Sequence, residues 1–156
     1  MIQWESREKN RSAAHVRRRT EDELDAGHGA CHLRRPDVAA VVEGALLKFD
    51  AVRYRLFEWT IMPNHVHALI QVFPGCGLGK VVGSRKSFTA TQANRVLGRH
   101  GRFWHPDYFD RYMRDERHFV RAVHYIRYNP VKAGLVSRPE DWPFGSAGSM
   151  RRSGHI

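Results

Sequence analysis

Cysteine is rare in this sequence, and long apolar segments are absent. The two cysteines, Cys31 and Cys76, are too far apart to form a Cys-x-x-Cys motif. A disulfide framework is therefore disfavoured, and a reduced compartment such as the cytoplasm is expected. No apolar run reaches the roughly 20 residues that a membrane-spanning helix needs. The charged N-terminus does not resemble a signal peptide.

Carboxylates are missing from the middle of the chain, although the chain as a whole has a formal net charge of +10. Residues 1–26 contribute nothing to this excess, because their six Lys or Arg are matched by six Asp or Glu. Such a distribution favours a polyanion such as DNA as the partner, and the protein would then associate with the nucleoid. The alternative is that a basic surface helix serves only solubility. Between Pro74 and Pro106 there is no Asp or Glu, and the basic residues are Lys80, Arg85, Lys86, Arg95, Arg99 and Arg102.

Aromatic residues lie at the end of this basic segment and just beyond it. They could stack on unpaired bases, as aromatics beside a basic groove do in single-strand binders, or they could belong to the core. The residues are Trp104, Tyr108 and Phe109.

Two histidines lie two residues apart in an apolar segment. His65 and His67 begin a predicted strand that covers about 65–73. Because residues i and i+2 of a strand point to the same face, both imidazoles could bind one metal ion. Two histidines with this spacing and no other ligand are more often partly exposed side chains than a metal site. Whether they bind metal therefore depends on which residues the fold places beside them.

A later segment has the pattern of a helix that could complete the site. Apolar residues recur at helical spacing within residues 115–129. Tyr125 and Asn129 are one turn apart, so they share a face and could present a phenolic nucleophile and a third metal ligand. Pro130 is expected to end or kink the helix, which leaves Asn129 on its last turn.

Two alternatives stay open on this helix. Tyr128 is a rival nucleophile, but it is adjacent to Asn129 in sequence and therefore lies off its face. Asn129 could instead cap the helix or begin a turn.

Together these motifs resemble the single-tyrosine HUH transposases, and within them the branch of REP-associated tyrosine transposases. The resemblance implies cleavage of single-stranded DNA by transesterification, with a 5'-phosphotyrosine on the enzyme and a divalent metal held by the two histidines and a polar side chain of the tyrosine helix. It also implies a palindromic, hairpin-forming substrate and action as a monomer. In chain order, the matching segments are Leu24–Gly29, the His-x-His strand, Lys86–Thr89, Tyr108–Arg111, Tyr125–Gly134 and Pro139–Pro143.

The predicted roles follow from these residue types. Tyr125 is the expected nucleophile, and His65, His67 and Asn129 are the expected ligands of Mg²⁺ or Mn²⁺, which accept mixed nitrogen and oxygen donors. A free phenol has a pKa near about 10, so a nearby cation must favour the phenolate. Arg121, one turn before Tyr125, is a candidate for this assistance and for DNA contact, together with the basic residues between Pro74 and Pro106.

Two other functions remain as alternatives. A domesticated relative could bind DNA hairpins without cutting them. A rolling-circle replication nuclease would use the same His pair, but the sequence Asn129–Gly134 matches the transposase relatives better.

Hydrophobic periodicity predicts an α+β domain. An amphipathic helix is expected to begin at Pro36, and a second helix is expected over about 79–97. Strands are predicted at about 53–61 and 65–73, with a short strand at about 102–110. This order fits a ferredoxin-like antiparallel sheet with helices on one face.

The predicted domain organisation has three parts. Residues 1–26 form a charged helical segment, residues 27–148 form the transposase domain, and residues 149–156 form a tail. Relatives usually have a strand before the first charged helix, but no alternating apolar run precedes residue 30. We therefore expect either a start further upstream or a sheet that lacks its first strand.

Overall fold

The computed structural model describes residues 30–106, 108 and 110–152. The helical segment expected at residues 1–26, and any strand before residue 30, lie outside the described residues. The mixture of helices and strands confirms the α+β class. In chain order, the elements are α1 (Pro36–Leu47), β1 (Tyr54–Ile61), β2 (Val66–Val72), α2 (Leu78–Leu97), α3 (Glu116–Lys132) and α4 (Ser146–Arg152), with 3₁₀ turns at His32–Arg34 and Pro139–Asp141.

Strands β1 and β2 form an antiparallel hairpin, as the sequence predicts. Thr60 lies directly opposite His67 in the register, and a bulge interrupts the pairing between Leu56 and Glu58. Beyond Ile61 the hairpin is closed by a hydrogen bond of 2.8 Å from the Met62 N–H to the His65 carbonyl. The hairpin therefore fixes where the His-x-His pair leaves the turn and enters the sheet.

Helices cover both faces of this hairpin, which departs from the expected arrangement with helices on one face. On the first face, Trp59 and Ile61 pack with α1 and α2 through residues such as Val38 and Ala93. On the second face, Leu69 packs with buried residues of α3. The reason is that β2 is apolar on both sides, since Ala68 and Leu69 each meet a helix.

The short strand expected at about 102–110 is absent from the described residues of that segment. Phe103 and Trp104 instead pack against the core on the α1 and α2 side. The Trp104 Nε1–H donates to Thr89 Oγ1 at 2.9 Å, and Lys86 Nζ donates to the His105 carbonyl at 2.6 Å. Because side chains of α2 hold this segment, it forms a loop rather than a paired strand.

Helix α3 continues to Lys132, so Pro130 does not end it; the other half of the expectation, a kink at Pro130, stays a prediction. The Asp115 side chain accepts the His118 N–H at 2.7 Å and caps the N-terminus of α3. Pro130 lies in the last turn, where its missing N–H removes one hydrogen bond and its fixed φ still suits a helix. Gly134, with φ of 70°, follows the end of α3 in the left-handed conformation that favours glycine.

The C-terminal segment packs beside β1. The Ile61 N–H donates to the Phe144 carbonyl at 2.8 Å, and Thr60 forms an isolated bridge with Gly145. Helix α4 then runs from Ser146 to Arg152, so residues 149–152 of the expected tail are helical.

Candidate functional site

The two histidines converge on one point, as their spacing predicts. His65 precedes β2 and His67 lies within it, and their Nε2 atoms are 2.9 Å apart. Two ligands at right angles, each about 2.1 Å from a magnesium-like ion, are separated by about 3.0 Å. The spacing of these two nitrogens therefore fits a shared metal ion.

Asn64 orients the first histidine. His65 Nδ1 lies 2.7 Å from Asn64 Oδ1, and His65 is 8% exposed. An amide oxygen only accepts, so this contact favours the tautomer of His65 that carries its proton on Nδ1. The lone pair of His65 Nε2 then faces His67, which is the arrangement that a metal-binding histidine needs.

Tyr125 lies against the histidine pair. The centroids of the Tyr125 and His67 rings are 5.3 Å apart, with the planes at 73°. Ala122 and Ile126, on either side of Tyr125 in α3, are buried against Leu69 of β2 and hold this face of the helix on the sheet. The phenol and the imidazoles therefore share one side of the sheet.

Lys132 is a cation at this site that the sequence did not single out. Its Nζ lies 5.7 Å from the centroid of the Tyr125 ring. Its sequence signal was available, because position 132 is on the same flank of α3 as Tyr125. Arg121, the cation that the sequence singled out, is exposed one turn before Tyr125.

Asn129 lies one helical turn after Tyr125 and is 1% exposed. Among the described residues, no group of three or more His, Cys, Asp and Glu could hold a metal ion. A third protein ligand from the part of the chain that the structure describes would therefore be of another type, and the Asn129 amide oxygen is such a donor. Its role as a ligand stays a prediction.

Tyr128 has different surroundings from Tyr125. Its side chain is 42% exposed, and its ring stacks on His124 with centroids 4.4 Å apart and planes at 15°. Tyr125 is therefore the tyrosine of α3 whose ring contacts the histidine pair, while Tyr128 faces solvent.

An ion pair between buried Glu58 and half-buried Arg127 anchors α3 to β1, and the sequence reading missed it. Glu58 has 1% side-chain exposure, and its Oε2 lies 2.7 Å from Arg127 Nη2. The same carboxylate accepts a hydrogen bond from the Ser146 hydroxyl. The hydrogen bond to Glu58 raises the pKa of Arg127. The available signal was a glutamate inside an apolar strand, because a buried carboxylate needs a partner.

This ion pair fixes how α3 is rotated about its own axis. Ile126 points at the sheet, and its neighbours Tyr125 and Arg127 lie about 100° away from it on opposite flanks. Arg127 holds one flank to β1, while Tyr125 on the other flank contacts His67 of β2. The position of the phenol is therefore coupled to the ion pair across the helix.

The predicted DNA-binding cations divide into two groups. Helix α2 packs on α1, on the face of the sheet opposite α3, so its cations do not surround the histidine pair. Lys86 and Arg99 are half-buried and donate to loop carbonyls. The exposed members of the set are Lys80, Arg95, Arg102 and Arg121.

Arg85 differs from the expected row of phosphate-binding residues. Its guanidinium donates to the Ala45 carbonyl at 3.1 Å and to the Tyr54 hydroxyl at 3.3 Å, and it lies 4.3 Å from the centroid of the Phe49 ring. Burial lowers the pKa of Arg85. These contacts are internal, so Arg85 joins α1 and α2 to the start of β1.

No helix in the described part of the chain is long and apolar enough to cross a membrane. What the structure does define is an α+β domain in which two histidines of a hairpin meet a tyrosine of a packed helix. The family described as Transposase IS200 like matches residues 38–129, and the chain belongs to that family. This match confirms the resemblance inferred from the motifs.

Relatives and a solved structure agree with this membership. The chain is 30% identical over 103 residues to the REP-associated tyrosine transposase of Escherichia coli, covering 65% of this chain and 60% of the relative. It is 29% identical over 99 residues to a protein of Haemophilus influenzae described as a putative REP-associated tyrosine transposase, covering 55% and 54% of the two chains. The chain thus spans less than two thirds of either relative.

The fold is similar to that of a solved REP-associated tyrosine transposase bound to a REP hairpin. The TM-score is 0.57 at 24% sequence identity, and the match covers 74% of this chain and 68% of the other. This likeness supports the same overall fold. Whether the complete sheet is ferredoxin-like stays a prediction.

Proposed function

We propose that this chain cuts single-stranded DNA and transfers strands, with Tyr125 as the nucleophile. The observation that carries the proposal is the contact between the Tyr125 ring and His67, whose Nε2 meets that of His65. A nucleophile beside a metal-binding pair is the arrangement that phosphoryl transfer needs, because the reaction depends on positioning and on neutralising charge.

The proposed reaction exchanges one ester for another. Tyr125 Oη attacks the phosphorus in line, and the bond from phosphorus to the 3'-oxygen breaks. The phenolic proton is transferred overall to the released 3'-hydroxyl, and the 5'-phosphate stays esterified to Tyr125. Attack by a different 3'-hydroxyl reverses the step and joins a new strand. Lys132, near the Tyr125 ring, would favour the phenolate that attacks.

His65, His67 and Asn129 would hold a divalent ion, Mg²⁺ or Mn²⁺. When bound, such an ion supplies neutralising charge to a phosphate oxygen and to the leaving 3'-oxygen. The separation of the two Nε2 atoms and the burial of Asn129 support this set of ligands. Because Tyr125 contacts His67 within one copy of the chain, this pairing of nucleophile and histidine needs no second copy, which supports the predicted monomer.

The proposed substrate is a palindromic DNA element that forms a hairpin with single-stranded flanks. Two observations support it. The relatives are described as REP-associated tyrosine transposases, and the matching solved structure contains a REP hairpin. Membership of the IS200-like transposase family also favours this function over a rolling-circle nuclease.

A covalent adduct tests the proposal. Labelled hairpin DNA with single-stranded arms is incubated with the protein and Mn²⁺, and a denaturing gel is read for a protein–DNA band. We expect a band with the wild-type protein and none with Tyr125→Phe or with EDTA.

The matched control is Tyr128→Phe, which removes the hydroxyl of the rival tyrosine three residues away. An adduct that survives Tyr125→Phe but disappears in Tyr128→Phe would assign the nucleophile to Tyr128. Binding of the hairpin without an adduct under any divalent metal would instead favour the binding module that does not cut.

A further inference from the structure

An aromatic pair lies on the solvent side of α3, outside the site described above. The rings of His124 and Tyr128 are nearly parallel, and Tyr128 remains 42% exposed although it is stacked. Neither ring takes part in the hydrophobic cluster that holds α3 on the sheet. The pair therefore has no role in the packing of α3 on the sheet.

The pair is next to the proposed nucleophile. Tyr128 is three residues after Tyr125, which places it about 60° around the helix axis and within about 6 Å at the Cβ atoms. Exposed Arg121 precedes Tyr125 by one turn, and Lys132 is close to the Tyr125 ring. A strand whose phosphate reaches Tyr125 therefore passes between cations and beside an exposed ring.

The chemistry of the pair fits a nucleobase. A flat aromatic side chain with a free face stacks on any base, because every base has a π face, and adjacent cations hold the backbone. His124 supports Tyr128 from the other side and keeps its ring flat against a ligand. A ring that is held in place loses less freedom when it binds.

We propose that Tyr128, supported by His124, is the stacking platform for an unpaired base of the nucleotides that flank the scissile phosphate. This inference rests on the proposed function, since it places the platform beside the phosphate that Tyr125 attacks. It gives Tyr128 a role through its ring and none through its hydroxyl. The ligand is an unpaired nucleobase of single-stranded DNA, with no preference for one base set by Tyr128.

Binding measurements with damaged DNA test the platform without cleavage. The protein carries Tyr125→Phe and no divalent metal is added, so only affinity is read. The probes are a hairpin with single-stranded arms and a series in which one abasic nucleotide is moved along the arms. Tyr128→Ala should weaken binding of the intact hairpin by about 5- to 140-fold, and Tyr128→Phe should leave it nearly unchanged.

One position in the series should show coupling. At that position the abasic nucleotide weakens binding by the protein with Tyr128 intact, but has little further effect on the Tyr128→Ala variant. Tyr112→Ala is the matched control, because Tyr112 is another tyrosine and is 70% exposed. It should show no coupling at that position.

Three results would overturn the inference. Tyr128→Ala could bind the intact hairpin as tightly as its parent, the abasic series could affect both proteins equally at every position, or Tyr128→Phe could be as weak as Tyr128→Ala. Failure of the proposed function is distinguishable, because it is read from the adduct in a separate assay. Coupling without any adduct would keep the platform and reject cleavage.

Discussion

Asn129 differs from the two histidines of the proposed metal site because it is an amide on a helix and is 1% exposed. We expect Asn129→Ala to lower the rate of adduct formation by about 100-fold, the scale at which loss of one group that stabilises transition-state charge is felt. The affinity of Asn129→Ala for the DNA hairpin, measured without metal, should change little. The measurement is the adduct rate as a function of Mn²⁺ concentration.

Asn129→Asp is the matched variant, because it keeps an oxygen donor at the same place. It should retain more activity than Asn129→Ala and need less Mn²⁺ for half of its maximal rate. Equal rates for wild type and Asn129→Ala would remove Asn129 from the ligand set and leave its burial as a packing feature.

Tyr54 is a residue whose hydroxyl supports the fold. It is 1% exposed, donates to the Leu46 carbonyl at 2.5 Å and accepts from Arg85. Tyr54→Phe leaves both partners without this hydroxyl, so the free energy of unfolding should fall by about 1–3 kcal/mol. Urea denaturation at neutral pH measures the change, and an unchanged midpoint would contradict it.

The pH dependence of this residue has a definite sign. Burial raises the pKa of Tyr54, so the folded state favours the neutral phenol. The stability from the neutral phenol is complete below the unfolded pKa near about 10 and is lost as the pH rises through the folded value. Between about pH 8 and pH 11, wild type should therefore lose more stability than Tyr54→Phe. Parallel losses would show that folding does not raise the pKa of Tyr54.

At the scale of single residues, the sequence predicted those features of the site that depend only on the spacing of residues within one strand or one helix. His65 and His67 face one way because strands have a period of two, and Tyr125 shares a face with Asn129 because helices have a period near 3.6. The roles of Glu58, Arg127 and Lys132 depend on which elements meet in space. No local rule places β1 beside the second half of α3, so the sequence could mark Glu58 as a carboxylate that needs a partner but could not identify Arg127 as that partner.

At the scale of elements, the Glu58–Arg127 ion pair between β1 and α3 should contribute both to the free energy of unfolding and to the position of Tyr125. Arg127→Met leaves Glu58 buried without its cation, which should cost about 3 kcal/mol of unfolding free energy. The double variant Glu58→Leu/Arg127→Met removes both charges and should recover most of that stability. Its adduct rate should stay below wild type, because the Arg127 flank of α3 is then no longer held to β1 and the Tyr125 flank can shift.

Two measurements separate position from stability in that double variant. Thermal or urea unfolding reports whether the fold has recovered, and the nuclear Overhauser effect between the His67 and Tyr125 rings reports their contact without DNA. We expect recovered stability with a weakened ring contact. A double variant that is stable, keeps the contact and reacts as fast as wild type would limit the pair to a structural role.

The elements themselves were largely predictable. The hairpin, α1 and α2 follow from periodicity, and the structure confirms them. The short strand expected at about 102–110 was a wrong prediction, because tertiary contacts outweighed a local rule. Trp104 is held by Thr89 of α2, so its segment does not pair as a strand, and Pro130 is tolerated because it lies in the last turn of α3.

At the scale of the whole molecule, charge is distributed over both faces of the sheet. The proposed site lies on the α3 face, whereas most of the basic central segment belongs to α2 on the opposite face. A DNA hairpin that contacts both regions must pass around an edge of the sheet. The net charge of +10 alone could not show this division, because it contains no information about faces.

The salt dependence of hairpin binding tests whether the basic segment touches DNA. Log affinity falls with log salt, and each lost contact to a single-stranded phosphate makes this negative slope shallower by about 0.7. If these residues bind phosphates, the triple change of exposed Lys80, Arg95 and Arg102 to Gln should make the slope shallower by more than about 0.7, the amount expected for a single contact. Arg85→Gln is the matched control, because its guanidinium is turned inward. Arg85→Gln should lower the midpoint of urea unfolding but leave the salt dependence of DNA binding unchanged. An unchanged slope in the triple variant would assign the segment to a solvated surface and confine DNA to the α3 face.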